Sequence, residues 1–441
     1  MTVRREPRPP GRGWGTDAVP RRILLALLAG RLAYRGTTAL LPVALLAVWG
    51  PDRFGPYASL FGTWLFLNPM LSWGLEKAAL LLVPRTRAAR PYVLGALITF
   101  GIALALPAVV GFGLLALVSG SPLATLGAVL ALLNVAQGMN QALVGYQRAL
   151  GRPLVDTANY LTAGALNVAA VALAAWAGLT PLGFGLVLLT GTAALDLAHT
   201  VALATRARLG ARLLARRRLV RHAAGTAFFM GLNIILVTVT TSALFVVLAW
   251  HGLERESAYL YVAISIFNVA HAALDYLLRV YQPSVALLLR RGRTAAIRRG
   301  VARWSWRLLA SAAACLVVPL PLQGPARALT GSLPGYALPT AYLVVCLPVL
   351  LAPEVLGYAL ENLDFSSLVV SSAGPVAAML VTVAVALATV PALGGAFGAV
   401  YAFAAGKAGH SAVTAVLVGA GPSRLRRARP ATAKGAAHGT P

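Results

Sequence analysis

Residues 23–83 read ILLALLAGRLAYRGTTALLPVALLAVWGPDRFGPYASLFGTWLFLNPMLSWGLEKAALLLV. Two apolar runs, 23–50 and 55–83, flank the short polar segment that begins at Gly50. Each run exceeds the roughly 20 residues that a helix needs to cross a bilayer. Gly50-Pro51 has the chemistry of a turn between two helices. Inside the runs the charged residues are Arg31, Arg35, Glu76 and Lys77, and the rest is apolar or small. The stretch reads as a pair of membrane-spanning helices.

The same pattern recurs along the 441 residues. Further spans are expected at 91–118, 122–147, 154–178, 182–205, 222–250, 257–288, 306–322, 337–360, 367–390 and 394–419, with the ninth cut short by Pro319 and Pro321. Composition agrees: 59% of residues are hydrophobic and 11% charged, with a mean hydropathy of +0.76. Soluble domains carry about 25% charged residues, so a water-soluble globular protein is excluded. The fold class expected is an all-α polytopic membrane protein with about twelve transmembrane helices, as the chain length allows.

Charge sets the orientation. Lys and Arg number 38 against 12 Asp and Glu, a formal net charge of +26. In a soluble protein that excess points to nucleic acid. Here the basic residues cluster in alternate loops, while the opposite loops hold only Arg53, Arg255 and Arg327. This asymmetry places both termini on the cytoplasmic side, with anionic lipid headgroups as partners of the basic loops and no role for nucleic acid. The organisation expected is a basic tail (1–22), six helices (23–205), a basic linker (206–221), six helices (222–420) and a second basic tail (421–441). The second span of each block is long and ends near a proline, Pro84 or Pro283, which is a weak internal repeat of the kind two-bundle transporters show.

The segment from Gly50 to Arg85 carries a family resemblance. Gly50, Pro51, Asp52, Phe54, Gly55 and Tyr57, then Gly74, Leu75, Pro84 and Arg85, resemble the first outer turn and second span of polysaccharide-type flippases in the multidrug/oligosaccharidyl-lipid/polysaccharide exporter superfamily. GYQRALGRP, from Gly145 to Pro153, is similar to that family's connection between spans four and five. The resemblance implies two six-helix bundles around a central cavity, which carry polyprenyl-diphosphate-linked saccharides from the inner to the outer leaflet by alternating access.

Ionisable groups inside a membrane span are costly and mark candidate sites. Arg31 and Arg35, four apart, share a helix face, and a pair of guanidiniums at that depth suits a diphosphate. The alternative for them is an internal brace against Glu76. Lys77 and Arg279 complete the candidate cationic, substrate-binding set. For ion coupling the candidates are Glu76, Asp196 with His199, His271 with Asp275, and Glu354. Histidine beside a carboxylate suits proton binding because its charge changes near neutral pH, although such a stripe also simply lines wet cavities. Asn134, Gln137 and Gln141 on span four fit hydrogen bonds between helices, and Asp156 fits the electrostatics of a helix start.

Cys315 and Cys346 fall in apolar stretches, and neither CxxC nor HExxH occurs, so neither catalytic residues nor a metal site is expected. No GxxxxGK loop is present, so ATP hydrolysis by this chain is not expected. The expected function is a secondary transporter of a lipid-linked saccharide in a bacterial plasma membrane, not an enzyme, with H+ or Na+ as the candidate coupling ion. Partners would include a glycan polymerase or a glycosyltransferase. The alternatives are a drug or metabolite exporter and, with less support, an integral-membrane glycan ligase or polymerase, for which the loops facing outward are short.

Overall fold

The structure is a computed structural model, which describes residues 21–84, 89–207, 217–269, 271, 307, 310–319, 321, 333–361 and 372–427. The described residues are helical, with short turns between helices and no strand among them. The helices are α1 (Arg21–Thr63), α2 (Leu67–Leu82), α3 (Arg90–Val118), α4 (Pro122–Ala149), α5 (Pro153–Ala177), α6 (Pro181–Ala207) and α7 (Arg217–Trp250). They continue with α8 (254–269), α9 (Ala337–Val345), α10 (Leu347–Glu361), α11 (Ala373–Leu393) and α12 (Gly395–Arg427), and residues 310–317 are helical as well. Seven helical stretches among the described residues are long and apolar enough to cross a membrane. The first of these, Ala26–Leu82, has 57 residues and contains the expected first two spans.

Helix boundaries follow local chemistry, with four departures from the expected spans. At Gly50 the backbone takes φ 70°, a conformation that costs glycine least, and helix resumes at once through Pro51. The expected turn is therefore a sharp kink between two limbs of α1. The second span is broken at Trp64–Phe66, where Leu65, Leu67 and Asn68 donate to carbonyls only three residues back. Pro69 explains the break, because it has no N–H and its ring crowds the carbonyl of residue 65. The tenth span divides in the same way into α9 and α10 at Cys346, where the ring of Pro348 crowds the carbonyl of Val344 four residues back. Finally, α7 begins at Arg217, inside the expected linker, and α12 runs to Arg427, inside the expected tail.

Helices α1, α2, α4, α5 and α6 pack on one another, and α12 packs on α10 and α11. Helix α7 touches α1, α2 and α3 as well as α11, so it joins the two groups. At the Gly50 end the joint is aromatic. Trp49 meets Phe184 edge-on at 5.4 Å, Tyr57 stacks on Phe61 at 5.9 Å, and Phe61 and Phe54 lie 5.6 and 6.0 Å from Tyr261. Phe245 adds an edge contact to Tyr261 at 6.3 Å. Two glycines permit this approach: a Cβ on Gly55 would lie 2.6 Å from the Glu254 carbonyl oxygen, and one on Gly62 would strike the Phe245 ring. Aromatic pairs add about 0.5–1.5 kcal/mol each beyond their buried area. The expected motif residues Phe54, Gly55 and Tyr57 thus belong to this seam. The large apolar side chains left exposed on α3, such as Leu106, Val110 and Leu114, are what a lipid-facing surface requires.

Candidate functional site

At the other end of α1, four helices bring four charges together. Arg31 on α1 grips Asp156 Oδ2 with Nη2 at 2.9 Å and Nε at 3.2 Å. Arg148, near the end of α4, donates to the other oxygen of Asp156 at 2.7 Å and to Glu76 Oε1 on α2 at 2.8 Å. The Asp156 side chain is fully buried, and Arg31 keeps 40% exposure. Local structure makes the geometry possible. Gly151, at φ 87°, turns the chain tightly between α4 and α5, which sets the first turn of α5 against the last turn of α4. Gly145 has no side chain where the Glu76 stem passes, since a Cβ there would lie 2.6 Å from Glu76 Cγ. The ladder Arg31–Asp156–Arg148–Glu76 has two charges of each sign and is neutral as a whole.

This corrects two expectations. Glu76 is not the brace for Arg31 or Arg35, because it belongs to Arg148. Asp156 does sit in the first turn of α5, but its carboxylate spans two arginines rather than serving the helix start alone. Arg148 and Asp156 escape a sequence reading because each falls at a span edge, where charge is ordinary. The usable signal was that both lie close to the turn of the GYQRALGRP segment, in a chain with only 12 acidic residues.

Arg35 stands one turn along α1 from Arg31, about 6 Å further at 1.5 Å per residue. It is exposed and makes no ion pair among the described residues. Between Arg31 and Arg35 on the chain, Tyr34 packs its ring 5.1 Å from Tyr160, over which the Arg31 guanidinium also sits at 5.9 Å. The two tyrosines border a small polar cleft among α1, α4, α5 and α6. Gln137, Asn140, Gln141, Asn159, Asn167 and Thr192 supply its polar lining. Gln137 also accepts a weak hydrogen bond from Asn68 at 3.5 Å, next to the break before α2. Asn134 turns away and donates to the Leu130 carbonyl at 3.0 Å.

A second polar chain leaves the cleft. Asn159 Nδ2 donates to Asn140 Oδ1 at 2.8 Å, and Asn159 Oδ1 lies 2.9 Å from His199 Nε2. The other ring nitrogen of His199, Nδ1, lies 2.9 Å from Gln147 Nε2. Asp196, one turn before His199 on α6, has a buried Oδ1 with no hydrogen-bond partner among the described residues, and Asn140 Nδ2 is likewise unpartnered. The expected pair Asp196 and His199 is thus not joined directly: His199 bonds to Asn159 and Gln147, two residues the sequence reading did not single out.

The remaining candidates do not assemble into this site. Lys77 is half-buried on α2, beside Glu76 in sequence, and interacts with other groups. His271 is half-buried with its ring 5.7 Å from Phe267. Asp275 and Arg279 lie outside the described residues, as does the Glu354 side chain, whose backbone belongs to α10. Among the described residues no group of three His, Cys, Asp or Glu side chains has the arrangement of a metal site.

No protein-family model matches the chain, and no curated protein matches it by sequence. Solved structures do match. The chain is similar to a multidrug resistance MATE family transporter of the MOP superfamily in its inward-facing conformation, with a TM-score of 0.56 and 13% sequence identity over 92% of this chain and 96% of that one. A eukaryotic MATE transporter superposes with a TM-score of 0.44 and 17% identity over 93% of this chain and 96% of that one. The class is therefore an all-helical, multi-pass membrane protein. Within that class the fold is the one found in the inward-facing MATE transporter.

Proposed function

We propose that this chain is a secondary transporter that moves a polyprenyl-diphosphate-linked saccharide from the inner to the outer leaflet of a bacterial plasma membrane by alternating access, with both termini cytoplasmic. The observation that carries the reading is the contrast between two neighbouring arginines. Arg31 is neutralised within the ladder, whereas Arg35 makes no ion pair among the described residues and follows Tyr34, which lines a cleft rich in carboxamides. A guanidinium binds a diphosphate through forked, charge-assisted hydrogen bonds. Asn and Gln carboxamides both donate and accept, which suits sugar hydroxyls. In this reading Arg35 receives the diphosphate, Arg31 is held in place by Asp156, and the saccharide faces the amide lining. Coupling to H+ or Na+ supplies the driving force, and a glycan polymerase or glycosyltransferase hands the substrate on or receives it.

A second reading is an exporter of drugs or metabolites. It is favoured by the likeness to a multidrug resistance transporter and by the paired rings of Tyr34 and Tyr160 at the cleft. Native mass spectrometry of the purified protein with a polyprenyl-diphosphate saccharide separates the two. Retention that is lost in Arg35→Ala supports the flippase. Retention of cationic drugs, with no retention of the lipid-linked saccharide, overturns it in favour of the exporter.

A further inference from the structure

Helix α7 is longer than a bilayer requires. Its stretch from Arg218 to Trp250 has 33 residues, about 48 Å end to end at 1.5 Å per residue, against a hydrocarbon core of roughly 30 Å. Trp250 is exposed at the outer end, where tryptophan marks the membrane boundary. Counted inward from it, Phe228 and Phe229 fall about 32 Å away, at the inner edge of the hydrocarbon. His222, Arg221 and Arg218 fall about 42–48 Å away, at headgroup depth.

These residues share one side of the helix. At about 100° per residue, Arg218, Arg221, His222, Gly225, Phe228 and Phe229 lie within roughly 120° of arc. The two arginines, the histidine and both phenylalanines are exposed, and a Cβ on Gly225 would meet nothing within 4 Å. The phenylalanine rings meet edge-on at 5.6 Å and form a ridge. The opposite side is taken, since Ala223, Thr226 and Ala227 are buried and Gly74 of α2 presses on the Ala227 carbonyl.

The charge on this face has no counterion on the neighbouring helices. Arg218 and Arg221 make no ion pair among the described residues. Between Asp196 and Glu254 the sequence has no acidic residue, so neither the linker nor α7 supplies one. Of the helices packed on α7, α3, α11 and α12 contain no acid. Helix α2 has only Glu76, which belongs to Arg148, and α1 has only Asp52, near the outer turn. Arg90, at the start of α3, adds to the excess. Its neighbours Val93 and Leu94 share an apolar cluster with Leu219 and Val220 of α7, and its Nε is buried without a hydrogen-bond partner among the described residues.

We propose that this face of α7 is a binding site for an anionic glycerophospholipid of the inner leaflet. The phosphate sits against Arg218, Arg221 and His222, the glycerol backbone passes over Gly225, and the acyl chains run beside the Phe228–Phe229 ridge. Guanidinium groups meet phosphate oxygens through forked, charge-assisted hydrogen bonds, and basic pockets between helices at the inner membrane face suit such headgroups. A zwitterionic lipid would bring its own ammonium into the same excess of positive charge. Loop charge alone attracts any anionic surface, whereas here charge, notch and rings succeed one another at the depths of phosphate, glycerol and chain. The bound lipid fixes the inner end of the helix that joins the two groups, whatever the cargo is.

The test is native mass spectrometry of the full chain, titrated with phosphatidylglycerol and with phosphatidylcholine of the same acyl chains. The expected result is a preference of about tenfold for phosphatidylglycerol, reduced in Arg221→Gln and lost in Arg218→Gln/Arg221→Gln. Gly225→Leu, which fills the notch and leaves the charges in place, should also weaken it. Arg152→Gln, an equal charge change at an exposed arginine on the turn between α4 and α5, should leave it unchanged. Equal retention of the two lipids overturns the proposal. So does a loss in Arg152→Gln as large as in Arg221→Gln, which would reduce the binding to net charge. Displacement of the lipid by millimolar inorganic phosphate would replace it with a free-anion site. Loss in Arg35→Ala, with Arg218→Gln/Arg221→Gln unaffected, would move the lipid to the cleft, so this site and the saccharide site fail separately.

Discussion

The two ends of α1 hold the molecule together by opposite means. Around Arg31 four charges cancel within α1, α2, α4 and α5, so the ladder stays inside the first group of helices. Some 18 residues away, roughly 27 Å at 1.5 Å per residue, uncharged rings of α1 pack against Phe184 of α6 and against Tyr261 of α8, which Phe245 of α7 also meets. Buried ion pairs are directional and tolerate little displacement, whereas aromatic surfaces can separate and re-pack without leaving a charge unpaired. The contrast assigns rigidity to the ladder and movement to the seam. The proposed transporter would need both, a stiff group of helices and a joint that opens.

The strongest way to break this contrast is Asp156→Ala. It leaves the largely buried Arg148 with one partner and Arg31 with none, at a cost of about 3–5 kcal/mol for a buried pair losing one member. The expected result is a large drop in the thermal unfolding midpoint in nanodiscs, and an unchanged midpoint would remove the ladder's structural role. Next comes Gly62→Leu, a wedge against Phe245 in the seam. Overpacking costs about 1–3 kcal/mol if the seam stays closed. If the seam opens instead, the midpoint barely moves, while a thiol placed at Ala58 becomes reactive to a soluble maleimide. Arg35→Ala should weaken binding of a diphosphate lipid about tenfold, equivalent to ~1.4 kcal/mol. The smallest effect is expected for Arg31→Ala, since Asp156 keeps Arg148 and a half-exposed pair contributes about 1 kcal/mol or less. If Arg31→Ala weakens lipid binding more than Arg35→Ala, the division between brace and receptor is reversed.

Much of the architecture was legible from hydropathy and charge. Arg31 and Arg35 stand out because a charge within an apolar run has no ordinary place. The ladder was not legible, since Arg148 and Asp156 sit at span edges where a solvated charge is expected, and only the tertiary neighbourhood shows that they face inward. The breaks at Trp64–Phe66 and Cys346 were missed for another reason. A hydropathy window averages Pro69 and Pro348 in with their apolar neighbours and is blind to the missing N–H. The Gly50–Tyr57 motif was read as a turn signature, yet its aromatic members lie in the seam, because a short outer turn is also where two groups of helices meet.

The break before α2 has a mechanical consequence. Helix α2 is separated from the upper limb of its own span by a loosened turn, so it has a swivel at one end. Glu76 and Lys77 lie about 100° apart around its axis. A rotation of that size would replace a carboxylate with an ammonium beside Arg148 and set like charges against each other. What prevents it is the absence of two side chains: the bare faces of Gly138 and Gly145 on α4 let the Asn68 backbone and the Glu76 stem seat directly against the helix. Those two glycines act as the keyway in which α2 is locked.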